Sequence, residues 1–298
     1  MTAVLETSGL GKRYRRHWAL RDCTLSIPAG KVVGLVGPNG AGKTTLLHLA
    51  VGIASPTSGT VAVLGGRPAD GPNQLGRVGF VAQVTPTYAG ISVADHLRMG
   101  AMLNPNWDGA LAERQIEQLG LDPGQHAGTL SGGQRAQLAL TLAIAKRPEV
   151  LILDEPVASL DPLARRDFLQ TLMAVVAERG ISVVLSSHLV SDLARVCDYM
   201  VVLASSYVQI AGDVGELLAS HCRLSGRRRD LTALPMTNEV IEESHTDRQS
   251  VLLVRTTEPI LDPTWTVRPV TVEDLVLAYM SRARSAEKAR RSGIGILR

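Results

Sequence analysis

The stretch KVVGLVGPNGAGKTTLLHLAVGI, residues 31–53, decides the fold. Its first seven residues are a β-branched run ending in glycine, and helical spacing begins at Ala41. Strand, glycine-rich loop and helix follow without a gap. The loop fits G-x-x-x-x-G-K-[ST], with Gly37, Gly42, Lys43 and Thr44 at the fixed positions. Gly37, Gly40 and Gly42 let the stretch through Pro38, Asn39 and Ala41 curl so that several backbone N–H groups point inward. The positive end of the following helix, which starts through Lys43, Thr44 and Thr45, adds to that field. A triphosphate is the ligand such a cradle suits. Lys43 reaches the β- and γ-phosphates and Thr44 ligates Mg²⁺, so ATP and Mg²⁺ are the expected ligands.

Working outward, EVLILDEP (149–156) is a continuous apolar run, as expected of a strand buried on both faces. It delivers Asp154 and Glu155 to the carboxyl end of that strand, the edge where open α/β sheets bind ligands. Asp154 is expected to hold Mg²⁺ through water, and Glu155 to orient or deprotonate the attacking water. The pair favours hydrolysis over binding alone. ISVVLSSH (181–188) is a second buried strand, and His188 at its end is placed to meet the γ-phosphate. Gln83 ends the short strand GFVAQ, where its amide can complete the Mg²⁺ or water shell. LSGGQ (130–134) precedes a strong helical run, with Ser131 as an N-cap-like residue and Gly132 and Gly133 leaving amides open at a positive helix end. That is a second anion site, far along the sequence from the first.

Residues 1–30 read as a small antiparallel sheet, and TVAVLG and RVGFVAQ as short strands. Helical patterns at 92–103 and 109–120 are broken by NPNWDG. A helix is expected over about 162–179, another over LVSDLARVCD (189–198), and a strand pair in YMVVLASSYVQIAG. Strands alternating with helices imply a mainly parallel sheet covered on both sides. After about 215 the character changes. RLSGRRRDLTALPMTNEV (223–240) reads as a linker, SVLLVRTT and TWTVRPV as strands, and TVEDLVLAYMSRA as a helix capped by Thr271 and Asp274. The final RARSAEKARRSGIGILR reads as a frayed basic tail. It and GRRRD read as solvated, with anionic lipid head groups or a partner as the alternative contact.

Composition narrows the class. The 298 residues suit one large domain, or one domain plus a small appendage. Aromatics make up only 3%, so the core must rest on Leu, Val, Ala and Ile. Cys23, Cys197 and Cys222 lack C-x-x-C spacing, and His17, His48, His96, His126, His221 and His245 lack metal spacing. The cysteines are expected to be reduced thiols in a cytosolic protein. The first residues lack the apolar run of a signal peptide, and no stretch reaches 18 uninterrupted apolar residues. The chain is therefore expected not to span a membrane by itself.

Taken together, GPNGAGKTT, Gln83, LSGGQ, LILDEP, the SLD of residues 159–161 and His188 make residues 1–215 resemble the nucleotide-binding subunit of an ATP-binding cassette (ABC) transporter. The fold this implies is α/β: a P-loop NTPase with a mixed, mainly parallel sheet, an N-terminal antiparallel β-subdomain, and a helical insert at about 85–145. Residues 216–298 would form a small C-terminal α+β extension with a basic tail. The resemblance also implies that Tyr14 stacks on adenine, and that two subunits, a homodimer or close paralogues, meet head to tail. Ser131, Gly132, Gly133 and Gln134 of one would then cover the ATP held by the other. Ser159 and Asp161 would lie at that interface and couple the two sites. An integral membrane permease subunit would grip the insert at about 85–128. That would leave this chain peripheral, on the cytoplasmic face of the cell membrane. The length, the C-terminal helix and NPNWDGALAERQIEQLGL resemble bacterial multidrug, antibiotic or lantibiotic exporter ATPases, YtrB-like members among them. No nucleic-acid partner is expected. Translation ATPases of this class carry two cassettes, and the DNA-repair ones carry a long coiled coil for which Thr45 to Leu130 leaves no room. A soluble ABC ATPase with a regulatory or assembly role is the alternative.

Overall fold

The computed structural model describes residues 3–84, 87–228 and 238–291. The chain opens with β1 (Ala3–Tyr14) and β2 (His17–Pro28), then β3 (Val32–Val36), α1 (Lys43–Ala50), β4 (Ser58–Val63), α2 (Gly71–Arg77) and β5 (Val78–Val81). The helical insert holds α3 (Val93–Leu103), α4 (Gly109–Gln118) and α5 (Gly132–Ala145). Next come β6 (Val150–Asp154), α6 (Pro162–Arg179), β7 (Ser182–Ser187), α7 (Val190–Leu193), β8 (Tyr199–Ala204) and β9 (Tyr207–Asp213). The last part contains α8 (Val214–Ala219), β10 (His221–Arg227), β11 (Glu239–His245), β12 (Gln249–Arg255), β13 (Thr266–Pro269) and α9 (Val272–Arg291).

These strands form three sheets. The six-stranded sheet has the order β5-β6-β7-β3-β8-β9. Its first five strands run parallel, and β9 returns antiparallel beside β8. Strands β3, β6 and β7 are buried at every residue, because helices and the second sheet cover both faces. That second sheet, β2-β1-β4, is antiparallel. Leu5, Leu10, Leu20 and Ile27 from it share a core with Leu46 and Leu49 of α1 and with Leu35 and Ile152 of the large sheet. The third sheet, β11-β12-β10-β13, is also antiparallel.

Caps explain where the helices begin. Ser92 and Asp95 close a capping box on α3, and Asp108 caps α4 by accepting from Leu111 N at 3.0 Å. The NPNWDG break is therefore a stop and a start. Asp108 also receives Arg147 and Arg179, which ties α4 to the ends of α5 and α6. The insert has its own small core of Val93, Ile116, Leu121, Leu130 and Leu138. Among the described residues, no helix is long and apolar enough to cross a membrane.

Four local expectations need correction. Residues 221–227, read partly as linker, form β10, because Leu224 is fully buried on one face while Arg223 on the other bonds Asp274 of α9; residues 229–237 of that stretch lie outside the described residues. The strand β11 carried too many acids to be read as one. The helix expected over 189–198 stops after one turn. Val196 N bonds to Leu193 O, a tighter i→i−3 pattern, and this lets Asp198 reach the Val32 amide with its side chain at 3.1 Å. The basic stretch 282–291 continues α9 instead of fraying, and residues 292–298 lie outside the described residues. The helix is held from its start, where Thr271 and Asp274 exchange hydrogen bonds. Along its length Leu275, Val276 and Tyr279 share the core of Met200 and Val202 in β8.

Candidate functional site: a phosphate cradle backed by paired acids

The site grows from register. Val36 of β3 lies opposite Ser187 of β7, and Asp154 of β6 opposite Ser186. Three neighbouring strands therefore end together, and the residues that follow them, Gly37, Glu155 and His188, emerge on one edge. Two glycines in the loop are required. A β-carbon on Gly37 would sit 2.1 Å from Leu203 O. Gly42, the N-cap of α1, has φ 108, and a β-carbon there would meet Ala19 O at 2.4 Å. The loop thus rests on two backbone carbonyls and presents its other side to a ligand.

Lys43 is 5% exposed. Its Nζ donates to Gly37 O at 2.8 Å and lies 3.1 Å from Glu155 Oε1. His188 Nδ1 is 3.1 Å from Glu155 Oε2. An ionised carboxylate only accepts, so the imidazole carries its proton on Nδ1 in this contact. Burial pushes the Glu155 carboxyl up. The hydrogen bond and charge of Lys43, with His188 behind them, outweigh burial and hold it below the ordinary carboxylate value. Folding therefore favours the ionised form. The cluster's contribution to stability is full above the unfolded-chain carboxylate range near pH 4.5 and is lost as pH falls through the lower folded value. In thermal unfolding, wild type should exceed Glu155→Gln at neutral pH, and the gap should close as the pH drops below that range. A gap that widens with acid would contradict the pairing.

Glu155 is also a backbone outlier, with φ 45. Such a conformation costs about 1–3 kcal/mol in a residue with a side chain. Ser186 holds it in place. Its Oγ accepts from Glu155 N at 2.8 Å and donates to Asp154 Oδ1 at 2.8 Å. One hydroxyl thereby aligns both acids. Sequence reading missed Ser186, although a serine pair closing an otherwise apolar buried strand was the available signal.

A second cluster forms at the start of α5 and α6. Ser131 caps α5 in a capping box with Gln134: Gln134 N donates to Ser131 Oγ at 3.2 Å, and Ser131 N to Gln134 Oε1 at 2.9 Å. Asp161 caps α6 by accepting from Leu163 N and Ala164 N, both at 3.0 Å. The glycine pair divides in two. Gly133 packs closely against Ala164, whose methyl would stand only 3.0 Å from a β-carbon there, while Gly132 is exposed. Ser131 and Ser159 are exposed beside it. Among the described residues, two expected at the site make no hydrogen bond or ion pair with either cluster. Gln83 is exposed two residues past the end of β5, so it does not close that strand. Tyr14, at the end of β1, is 48% exposed with Lys12 Nζ 5.2 Å from its ring centre.

Comparison with known proteins points to one family. A family model described as ABC transporter matches residues 20–158. The chain is 30% identical to the bacitracin transport ATP-binding protein BcrA of Enterococcus faecalis, covering 73% of this chain and 71% of that one. It is 33% identical to a phosphonates import ATP-binding protein, PhnC 2, of Pseudomonas syringae, covering 73% and 87%. Among solved structures, the ATP-binding subunit of an ABC transporter superposes with a TM-score of 0.65 at 28% identity, over 72% of this chain and 92% of that chain.

Proposed function

Because the chain belongs to the ABC transporter family, whose ATP-binding subunits hydrolyse ATP to power transport and work with membrane permease components, we propose the following roles for its residues. Residues 1–215 are the nucleotide-binding domain, and 216–298 an extension of it. Gly37 to Thr45 hold the phosphates of ATP, with Lys43 on the β- and γ-phosphates and Tyr14 against the adenine. Glu155 is the general base, and His188 steadies it and meets the γ-phosphate. The observation that carries this reading is the contact of Lys43 and His188 with opposite oxygens of Glu155 at the mouth of the cradle. Ser186 bonds Asp154 through Oδ1. The hydroxyl of Thr44, the carboxylate of Asp154 and the amide oxygen of Gln83 form an oxygen donor set that fits Mg²⁺. That ion would neutralise charge building on the phosphates.

Two copies, identical or close paralogues, close head to tail over two ATP molecules. The exposure of Ser131, Gly132 and Ser159 supports a role for these residues across the interface, where Gln134 and Asp161 shape the helix ends that face the partner's nucleotide. The permease is a separate chain that engages the helical insert, and the complex works at the cytoplasmic face of the membrane. Export of a drug, antibiotic or peptide is the favoured direction, from the likeness to the bacitracin transport protein. Affinity purification of the tagged chain from detergent-solubilised membranes of its own cell should recover a multi-span protein in stable complex. Recovery of the chain without any such partner would favour a regulatory or assembly ATPase instead.

A further inference from the structure

We infer that the C-terminal helix positions the phosphate loop, acting through Glu287 and the turn between β8 and β9. The turn is formed by Ser205 at φ 50 and Ser206 at φ 70. Two successive left-handed residues make the tight hairpin that asparagine and glycine normally supply, and serines keep it only where neighbours hold them. Three contacts do so here. Ser205 Oγ donates to Glu287 Oε2 at 2.7 Å, across 82 residues of sequence. Ser206 Oγ donates to Trp18 O at 2.9 Å, and Arg21 N donates to Ser206 O at 2.8 Å. On the same side the Arg290 guanidinium lies 5.8 Å from the centre of the Tyr207 ring.

The segments tied together in this way are the ones on which the loop rests. Leu203, two residues before the turn, supplies the carbonyl against Gly37. Ala19, between Trp18 and Arg21, supplies the carbonyl against Gly42. A continuous set of contacts therefore runs from α9 through the serine turn to both ends of the loop. Helix α9, the turn and the loop residues Pro38–Ala41 also line one cleft of about 1010 Å³. Glu287 is thus a positioning residue: it fixes the turn, and the turn fixes the carbonyl floor on which the loop amides are aimed.

This inference rests on the reading that the loop holds ATP, and the experiment separates the two. In the full chain, kcat and KM for MgATP are measured together with Kd for MgADP by calorimetry. Glu287→Ala should raise Kd and KM by roughly two- to thirty-fold, the range seen for residues that act through others. kcat should stay within about twofold, because the reacting groups are untouched. Glu287→Gln keeps an acceptor for Ser205 and should bind like wild type. Replacing the turn with Ser205→Asn and Ser206→Gly gives a hairpin that needs no brace, and Glu287→Ala added to that background should change nothing further. Wild-type Kd in Glu287→Ala, or an undiminished loss in the Asn-Gly background, overturns the inference. Nucleotide binding in Lys43→Ala as tight as in wild type would instead sink the assignment of the loop.

Discussion

Lys43→Ala should abolish ATP hydrolysis and weaken nucleotide binding, and it should also destabilise the fold. The first effect follows from charge. Lys43 is the cation that the loop sequence 37–45 carries, and removing a preorganised donor to a phosphoryl oxygen costs about 10²–10³ in turnover. The second effect follows from burial. Lys43 and Glu155 are 5% and 9% exposed at their side chains, and deleting one member of a buried pair leaves the other's charge uncompensated. That loss is typically about 3–5 kcal/mol, reduced here by the contact from His188 to Glu155. The two effects can be separated. Lys43→Ala combined with Glu155→Gln removes both charges and should recover most of the melting temperature with no recovery of phosphate release. A double variant as unstable as Lys43→Ala alone would mean that the pair does not carry the stability ascribed to it.

Glu155→Gln should stop turnover while preserving nucleotide binding. The amide is nearly isosteric, keeps one oxygen to accept from Lys43 while its NH2 can donate to His188 in the other imidazole tautomer, and loses the capacity to take a proton from water. A positioned general base contributes about 10²–10⁴ to rate, so phosphate release should fall by that factor. On the proposed head-to-tail closure, the variant with saturating MgATP should then persist as a two-copy assembly, because each nucleotide would remain uncut between the phosphate loop of one copy and Ser131–Gly133 of the other. Light scattering after size separation reads this directly. A Glu155→Gln chain that stays monomeric under those conditions is incompatible with head-to-tail closure. Turnover within about threefold of wild type would mean another group activates the water.

Legibility divided along the range of the interactions. Residues 31–53 announced strand, loop and helix, and the structure has β3, the glycine loop and α1 there. The apolar runs before Asp154 and His188 gave β6 and β7, and the Thr271–Asp274 pattern gave the start of α9. Elsewhere local pattern misled. Arginines on either side of Leu224 hid β10, acids hid β11, and a basic tail concealed the last turns of α9. In each case packing against distant residues overrode a local composition that favoured solvent.

The sequence by itself determined the cradle, the acids at a strand end and the capped helix of the glycine pair, because each is a motif whose spacing fixes backbone conformation within a few residues. Only the tertiary structure decided that Lys43 and His188 meet opposite oxygens of Glu155, and that Ser186 holds both acids. The same holds for the left-handed serine turn, which Glu287 braces from a helix 82 residues away. Strand order and register create such pairings, and these follow from how buried surfaces fit together, which no local spacing encodes.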